Sequence, residues 1–321
     1  MERILITGAA GQLGSELTQS LTDIHGGEAV IATDIHQAES GKFPYCRFAT
    51  LDVMDRDGLG RLIKEENIKQ IYHLAAILSA ASEKNPHFAW QVNMESLLYV
   101  LEFAKELNLE KVYWPSSIAV FGPHSPRHNT PQHCIMDPDT VYGISKQAGE
   151  RWCAYYFQQH QVDVRSLRYP GLIGYKSPPG GGTTDYAVDI YHKAIVGEHF
   201  ECFLSEETYL PMMYMPDAIK ATIDLMQAPR ENIKIRSSYN LGGISISPKE
   251  LFQSIKEHYP PFQISYKPDF RQKIADSWPN SIDDSAAKND WGWQHEFGLK
   301  TMTEDIFKNL PEYLPYFKQK S

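Results

Sequence analysis

The sequence predicts an α/β protein built on a doubly wound parallel sheet, followed by a smaller C-terminal α/β lobe. In the first half, short strands that are apolar on both faces alternate with longer helical patterns, as in a parallel sheet between two helix layers. A glycine-rich turn leads from the first strand directly into the first helix. After Pro170 the alternation gives way to a proline- and glycine-rich loop and shorter elements. Such a fold has its ligand crevice at the carboxyl ends of the strands.

The elements of the first half follow from apolar runs of strand length and from the helical spacing of apolar residues. The predicted strands cover residues 3–7, 29–33, 46–49, 70–74, 111–114 and 163–167. The predicted helices cover residues 12–24, 55–67, 86–107 and 142–160. Segment 96–105 carries apolar residues on several faces, so we expect it to pack on a partner subunit as well as on the sheet. A homodimer through the long helices follows from that expectation.

The second half begins with the loop at 178–182 (PPGGG), where proline and glycine disfavour regular structure. Helices are predicted at 186–196, 216–226 and 248–258, and a strand at 263–266. We expect these shorter elements to form a lobe that caps the crevice.

Composition and charge exclude several classes of partner. The chain has 321 residues and a formal charge of -9, so it lacks the basic surplus that neutralises nucleic-acid phosphates or an anionic membrane surface. Its four cysteines are scattered without a C-x-x-C pair, as expected for free thiols in a reducing compartment. The first strand begins by Arg3, and the longest weakly polar stretch, residues 71–81, is too short to span a membrane. We therefore expect a cytoplasmic protein.

No metal site is predicted. The sequence lacks an H-E-x-x-H motif, and the prolines around His124 and His128 disfavour a helix that would bring both rings to one face. Together with His133, these histidines are expected to be solvated loop residues.

Segment 4–14 (ILITGAAGQLG) has the pattern of a dinucleotide-binding turn. Gly8 permits the tight turn, Gly11 lets a pyrophosphate approach the backbone, and Gly14 lets the helix pack on the sheet. The anion then lies on the helix N-terminus, beside Gln12 and Leu13, where free N–H groups favour negative charge. Three glycines alone are a weak signal, but the strand before them and the helix after them supply the required context.

Asp34 ends the second strand, 26 residues after Gly8. A carboxylate there accepts hydrogen bonds from ribose hydroxyls and repels a 2′-phosphate, so NAD is favoured over NADP. Without the glycine motif, a turn or cap aspartate would be the better interpretation. Further candidates, each of which a structural role would also explain, follow the third and fourth strands: Asp52, Val53, Leu74, Ala75 and Ala76.

Residues 142–146 (YGISK) place a phenol and an ammonium four residues apart on one helical face. A free phenol has a pKa of about 10, so a tyrosine base needs its anion stabilised, and Lys146 beside Tyr142 can do this. Lys146 can also hydrogen-bond the nicotinamide ribose. Y-x-x-x-K often occurs by chance, and the upstream dinucleotide motif makes the functional interpretation preferable.

Ser117 follows a strand that ends on the crevice side of the predicted sheet. Its hydroxyl can bind a substrate oxygen and stabilise the charge that moves during hydride transfer. The adjacent Ser116 is the alternative.

These motifs resemble those of the extended short-chain dehydrogenase/reductase superfamily over essentially the whole chain. They are T-G-x-x-G-x-x-G at 7–14, a serine followed by Y-x-x-x-K, and RYPG at 168–171. The interval of 25 residues between Ser117 and Tyr142 is typical of the superfamily and favours Ser117 over Ser116. The resemblance implies an NAD-binding Rossmann domain at 1–170 and a mainly substrate-binding lobe at 171–321, with an interleaved boundary. It adds Tyr169 and Asn93 as cofactor-site candidates, Asn93 as the holder of a proton-relaying water or backbone group.

Within the superfamily the chain is similar to the epimerase-like L-threonine 3-dehydrogenases. The similarity is carried by residues 78–80 (LSA), 115–123 (PSSIAVFGP), 180–187 (GGGTTDYA), 210–217 (LPMMYMPD) and 274–279 (IADSWP), of which the last three are the most discriminating. It implies oxidation of the C3 hydroxyl of L-threonine to 2-amino-3-oxobutanoate by NAD. It also implies a lid at the glycine loop and a set of residues that orient the amino acid: Ser79, Gly182, Thr183, Thr184 and Asp185.

Two other functions compete with this interpretation. Nucleotide-sugar epimerases and dehydratases share the scaffold, but they usually carry an RYFN-like turn and basic residues for a diphosphate, where this chain has RYPG and LPMM (210–213). Met212 and Met213 are also open to interpretation as core residues, and residues 79 and 183–185 as loop and cap residues. A non-catalytic NAD sensor is disfavoured because Ser117, Tyr142 and Lys146 are all present.

Overall fold

The protein, as a computed structural model, is described over residues 3–37 and 42–318. In chain order the strands are β1 (Arg3–Thr7), β2 (Val30–Asp34), β3 (Arg47–Thr50), β4 (Ile68–His73), β5 (Lys111–Tyr113), β6 (Ser116–Ser117), β7 (Val164–Arg165), β8 (Leu167–Tyr169), β9 (Gly171–Ile173), β10 (Phe200–Cys202), β11 (Leu210–Tyr214), β12 (Tyr239–Asn240), β13 (Ile244–Ile246) and β14 (Ile264–Tyr266). The helices are α1 (Gln12–His25), α2 (Arg56–Glu65), α3 (Ser79–Ser82), α4 (Pro86–Trp90), α5 (Ser96–Glu106), α6 (Val141–His160), α7 (Tyr186–Ile195), α8 (Met215–Gln227), α9 (Pro248–His258), α10 (Phe270–Asp276), α11 (Ser285–Trp291) and α12 (Leu299–Lys318).

The central sheet confirms the predicted fold class. Its six strands run in the order β3-β2-β1-β4-β5-β7, and every neighbouring pair is parallel. The strand order reverses between β1 and β4, so the loops after these two strands diverge and open a crevice. The glycine loop follows β1, and His73 ends β4 at the same edge.

A second, three-stranded sheet is formed by β6, β8 and β12. It has the order β12-β8-β6 and pairs Ser116 with Arg168 and Ser117 with Tyr169. The strand predicted at 163–167 is therefore wrong in extent: β7 pairs with β5, whereas β8 pairs with β6 and β12. The two short strands belong to different sheets, and the apolar run in the sequence does not show where one ends and the other begins.

The helix predicted at 86–107 is interrupted. Asn85 caps α4, a π-helical turn occupies Gln91–Glu95, and α5 follows. The hydroxyl of Ser96 donates to the carbonyl oxygen of Val92, the acceptor that an α-helix would offer to the Ser96 backbone N–H. The serine thus stabilises the wider turn, and such turns are frequent at functional sites.

The apolar residues of segment 96–105 pack within the chain. Five of them are at most 5% exposed: Leu97, Val100, Leu101, Phe103 and Ala104. They form one core with α2, the central sheet and α6. The observation from which a dimer was predicted therefore has an explanation inside one subunit.

The other two cores join the halves of the chain. One combines β1, β2 and α1 with Leu225 of α8 and with Trp293, far along the sequence. The other lies under the second lobe, among α7, α9 and α12. In the described part of the chain, no helix is both long and apolar enough for a membrane span.

Candidate functional site

A cleft of about 900 Å³ runs along the carboxyl edge of the central sheet. Its walls come from the glycine loop, the ends of β2 and β4, the β6 segment, α6, and the loop that precedes α7. The cleft brings together the following predicted site residues: Gly8, Gly11, Gln12, Leu13, Gly14, Asp34, Asp52, Val53, Leu74, Ala75, Ala76, Ser79, Ser117, Tyr142, Lys146, Tyr169, Gly182, Thr183, Thr184 and Asp185. Asn93 is not among its lining residues.

The glycine loop has the geometry of a pyrophosphate cradle. Gly8 has φ +70°, and a Cβ added there would lie 2.7 Å from the backbone nitrogen of Ala75. A Cβ at Gly14 would lie 2.2 Å from the carbonyl oxygen of Gly8, which explains why both positions need glycine. Gly11 is the N-cap of α1. Because that residue has no side chain, nothing at the cap competes with an anion for the first N–H groups of the helix.

The adenosine end of the cleft has two carboxylates. Asp34 accepts a hydrogen bond from the backbone N–H of Ala10 at 2.9 Å, which holds its side chain beside the glycine loop. Asp52 accepts from the backbone N–H of Met54 at 2.9 Å, so part of its role is to form a turn. The residues present therefore fit an adenine dinucleotide without a 2′-phosphate.

Residues 174–185, here called the lid segment, bridge the cleft. On one side, Gln12 donates from its side chain to the carbonyl oxygen of Pro178 at 2.9 Å. On the other side, the hydroxyls of Ser79 and Thr183 are 3.3 Å apart. Asp185 accepts hydrogen bonds from the N–H groups of Gly181 and Gly182, so its carboxylate organises the glycine loop. Burial raises the pKa of Asp185, while these N–H groups oppose the rise.

Tyr142 lies in the first turn of α6 and faces the β6 segment. Burial raises the pKa of its phenol to about 12, and a hydrogen bond with the side chain of Ser117 opposes that rise. Thr140 caps the helix by accepting from the N–H of Gly143 at 3.1 Å, which fixes where the first turn begins.

Lys146 follows Tyr142 by one helical turn and is almost fully buried. Its ammonium donates to the carbonyl oxygen of Pro115 at 2.6 Å and lies 5.4 Å from the ring centroid of Tyr142 and 4.4 Å from that of Trp114. Burial lowers the pKa of Lys146 to about 7, and Cys153 and Glu150 act in the opposite direction. The cation thus lies within the aromatic wall of the site.

The two adjacent serines have different partners. Ser116 donates its hydroxyl proton to Glu150 at 2.7 Å, whereas Ser117 interacts with Tyr142 and accepts from the N–H of Ala119 at 3.2 Å. Both line the cleft, but only the hydroxyl of Ser117 is next to the phenol.

Asn93 lies behind the cleft and hydrogen-bonds a backbone segment there. It lies in the π-helical turn, 4% exposed, and its carboxamide both accepts from the N–H of Ile77 and donates to the carbonyl oxygen of Ile77. It also donates to the hydroxyl of Ser145 at 3.3 Å. Because its side-chain groups bind the wall behind the cleft, Asn93 supports the loop after β4 rather than lining the cofactor space.

Tyr169 lines the cleft, but its hydroxyl is turned away from it. That hydroxyl is hydrogen-bonded to Tyr113 at 2.6 Å and to Thr222. Several cleft residues were missed from the sequence, among them His36, Phe88 and Trp278. Trp278 belongs to the discriminating run at 274–279, and an aromatic residue in that run was the signal that could have identified it.

Comparisons with known proteins agree with this geometry. Residues 4–242 match the family described as NAD dependent epimerase/dehydratase. An uncharacterized epimerase/dehydratase of Staphylococcus saprophyticus is 46% identical over 306 residues, which are 95% of each chain.

Two solved structures are also similar over nearly the whole chain. A GalE-like L-threonine dehydrogenase from Cupriavidus necator, in its holo form, is 54% identical, with a TM-score of 0.94, over 96% of this chain and 99% of that one. A structure described as a monomeric L-threonine 3-dehydrogenase from a metagenome is 48% identical, with a TM-score of 0.93, over 96% and 99%. The fold is therefore shared, over nearly the whole chain, with enzymes of that description.

Proposed function

We propose, because the chain belongs to the NAD dependent epimerase/dehydratase family and uses NAD, that it oxidises the C3 hydroxyl of L-threonine. The products are 2-amino-3-oxobutanoate, NADH and a proton. The family match and the threonine dehydrogenase neighbours support an NAD-dependent oxidoreductase, and the choice of substrate rests on the cleft.

The observation that carries the proposal is the scarcity of cationic groups in the cleft. Among the described lining residues, Lys146 is the single lysine or arginine. A nucleotide sugar brings a second diphosphate into the site, in addition to that of NAD, and would need cations or helix N-termini to bind it. The substrate end instead presents hydroxyls from Ser79, Thr183 and Thr184, which suit a small polar molecule.

Three side chains perform the proton chemistry in this proposal. Tyr142, as phenolate, accepts the proton of the C3 hydroxyl, and Ser117 hydrogen-bonds the reacting oxygen. The ammonium of Lys146 stabilises the phenolate and holds the nicotinamide ribose. NAD, when bound, supplies the hydride acceptor. The lid segment orders the amino acid and excludes water.

The charge on Lys146 matters because burial works against the base. The pKa of Tyr142 is raised to about 12 by burial, so a neutral site would leave the phenol protonated at physiological pH. In its protonated form Lys146 favours the phenolate, and the positive charge of bound oxidised NAD would act in the same direction.

A direct assay tests the substrate. Purified protein is incubated with NAD and a panel of 3-hydroxy amino acids and nucleotide sugars, and the absorbance of reduced nicotinamide is followed. We expect this absorbance to increase when L-threonine is the substrate. Turnover of a UDP- or dTDP-sugar with tightly retained NAD, and none of threonine, would contradict the proposal in favour of an epimerase or dehydratase.

The base assignment is tested with Tyr142→Phe. We expect turnover to fall by about 10³-fold or more, because the proton acceptor is lost, while NADH still binds, as measured by the fluorescence of the bound nicotinamide. Near-normal turnover would refute the role of Tyr142. Loss of NADH binding would show that the variant had disturbed the cleft itself.

Three further assignments are part of the proposal. We propose that residues 1–170, with returning segments of the second half, bind NAD, and that residues 171–321 mainly bind the substrate. We propose a homodimer through exposed side chains of α4 and α6. Four free cysteines support a reducing compartment, and we propose the cytoplasm.

A further inference from the structure

One face of α6 contacts three consecutive residues, the one directly before β6 and the two of β6 itself. Tyr142 hydrogen-bonds the side chain of Ser117, and Lys146 donates to the carbonyl oxygen of Pro115. Glu150, one turn further, accepts the hydroxyl proton of Ser116 at 2.7 Å. The first two helix residues belong to the proposed proton chemistry, and the third has no part in it.

Glu150 is a fixed anchor. It is 0% exposed, and Arg168 binds it through two parallel hydrogen bonds, Nε to Oε1 at 2.8 Å and Nη2 to Oε2 at 2.7 Å. Arg168 is itself fixed by the carbonyl oxygen of Gln132 and the side chain of Asn240. A buried carboxylate that accepts this many hydrogen bonds has little freedom to move.

The contact with Ser116 determines where the next residue points. A serine hydroxyl has one proton to donate, and that of Ser116 is committed to Glu150. Ser116 and Ser117 are consecutive in a two-residue strand that pairs with β8. Fixing the first side chain therefore limits the rotation of the strand that presents the second to Tyr142.

We propose that Glu150 is a positioning residue, which acts through Ser116 to hold the hydroxyl of Ser117 against Tyr142. The proposal rests on the proposed roles of Tyr142 and Ser117, but not on threonine as the substrate. It extends the functional face of α6 from two residues to three, at positions 142, 146 and 150.

The test uses Ser116→Ala, which breaks the contact but leaves the Glu150–Arg168 ion pair in place, so the fold keeps its buried charges paired. We expect kcat with threonine to fall about tenfold, with the KM for NAD unchanged, because the loss concerns placement of the reacting groups and not cofactor binding. Ser116→Thr keeps a hydroxyl and is expected to recover most of kcat. Ser166→Ala is the matched control, because Ser166 is a buried serine that bonds Ser238 and lies outside the cleft lining.

A second measurement does not need a substrate. The ionisation of Tyr142 is followed by NMR of tyrosine labelled at the phenolic carbon, with the signal assigned from Tyr142→Phe. Since the hydrogen bond with Ser117 lowers the pKa of Tyr142, we expect Ser116→Ala to raise it and Ser166→Ala to leave it unchanged.

An unchanged kcat and an unchanged tyrosine titration in Ser116→Ala would overturn the positioning role. Equal losses in Ser116→Ala and Ser166→Ala would also overturn it, because they would report a general effect of removing a buried hydroxyl. If the wild-type protein does not oxidise threonine, the proposed substrate is wrong, and the titration still decides whether Glu150 and Ser116 position Ser117.

Discussion

His73 shows how a buried polar side chain can be satisfied without charge. Its Nδ1 is 2.8 Å from the hydroxyl of Thr7, and its Nε2 is 2.9 Å from the hydroxyl of Ser96. Because the proton of Ser96 goes to the carbonyl oxygen of Val92, Nε2 must carry the ring proton, and Thr7 donates to Nδ1. The neutral ring thus ties β1, β4 and the π-helical turn together.

The charge state of His73 predicts a pH dependence of stability. Burial, and then the nearby charge of Lys146, lower the pKa of His73 to about 3, from an ordinary value of about 6.5. Between these values the unfolded chain binds a proton that the folded chain does not, so the free energy of unfolding falls as the pH falls from about 6.5 toward 3. We expect this residue to contribute a slope of up to about 1.4 kcal/mol per pH unit in that window.

The measurement is urea unfolding at several pH values between 3 and 7, for the wild type and for His73→Gln. The variant is expected to be less stable at pH 7 but to lose stability less steeply with acid. Parallel pH dependences in the two proteins would mean that His73 already binds its proton in the folded state.

At this scale, the sequence predicted residues that lie next to a motif and missed those that depend on distant contacts. Gly8, Asp34 and Lys146 line the cleft, and their spacing within local motifs was enough to predict this. Asn93 lies in a π-helical turn, and the apolar pattern of residues 86–107 does not indicate that turn. Trp278 reaches the cleft from more than a hundred residues beyond the tyrosine motif, and only the tertiary fold brings them together.

Helix α6 is the element on which the site depends most, and two glycines determine how closely it packs. A Cβ added at Gly143 would lie 2.1 Å from the carbonyl oxygen of Ala119, in the turn directly after Ser117. A Cβ at Gly149 would lie 2.4 Å from the ring of Trp114. Glycine costs a helix about 1 kcal/mol relative to alanine, so close packing is what these positions provide in return.

Gly143→Ala is therefore expected to destabilise the protein despite the better helix propensity of alanine. The added methyl group meets a backbone oxygen that cannot rotate away, and overpacking of this kind costs roughly 1–3 kcal/mol. The free energy of unfolding, measured with urea, should fall, and turnover should fall with it as α6 moves from Ser117.

Gln158→Ala, at an exposed position of the same helix, is the control and should leave both quantities nearly unchanged. A Gly143→Ala protein as stable and as active as the wild type would show that α6 can shift without cost.

Long elements were predictable and short ones were not. Strands β1, β2 and β4 have five or six residues, and helices such as α6 have enough turns for their apolar spacing to be recognised. Strands of two or three residues, such as β6, β8 and β9, have no period, and their pairing partners determine them. Helix α12 was not predicted from the sequence, in which Pro311 indicates a helix break.

At the scale of the whole molecule, an apolar stripe remains uncovered on α4 and α6. Ile144, Trp152 and Tyr155 of α6 are 44%, 39% and 47% exposed, and Trp90 of α4 is 42% exposed. The rings of Trp152 and Tyr155 make an edge contact, with centroids 5.6 Å apart. Aromatic residues at a protein surface are characteristic of subunit interfaces, and this stripe supports the proposed dimer better than segment 96–105 does.

Trp152→Glu is expected to convert the proposed dimer to a monomer, because it places a charge within the stripe. Size-exclusion chromatography with light scattering, at several protein concentrations, measures the mass directly. Phe270→Glu, at a 59% exposed position of the other lobe, is the control and should leave the mass unchanged. A wild-type protein that is monomeric at all concentrations would contradict the dimer and would match the solved relative described as monomeric.

The core that joins β1, β2 and α1 to Leu225 and Trp293 has a consequence for how the protein is made. Translation proceeds from the N-terminus, so β1, β2 and α1 leave the ribosome well before Leu225 and Trp293, which complete their core. The first strands and helix therefore expose part of their apolar surface until these later residues have been made. The first lobe therefore cannot complete its folding before the second is made, and a prematurely terminated chain would lack part of the core of the first lobe.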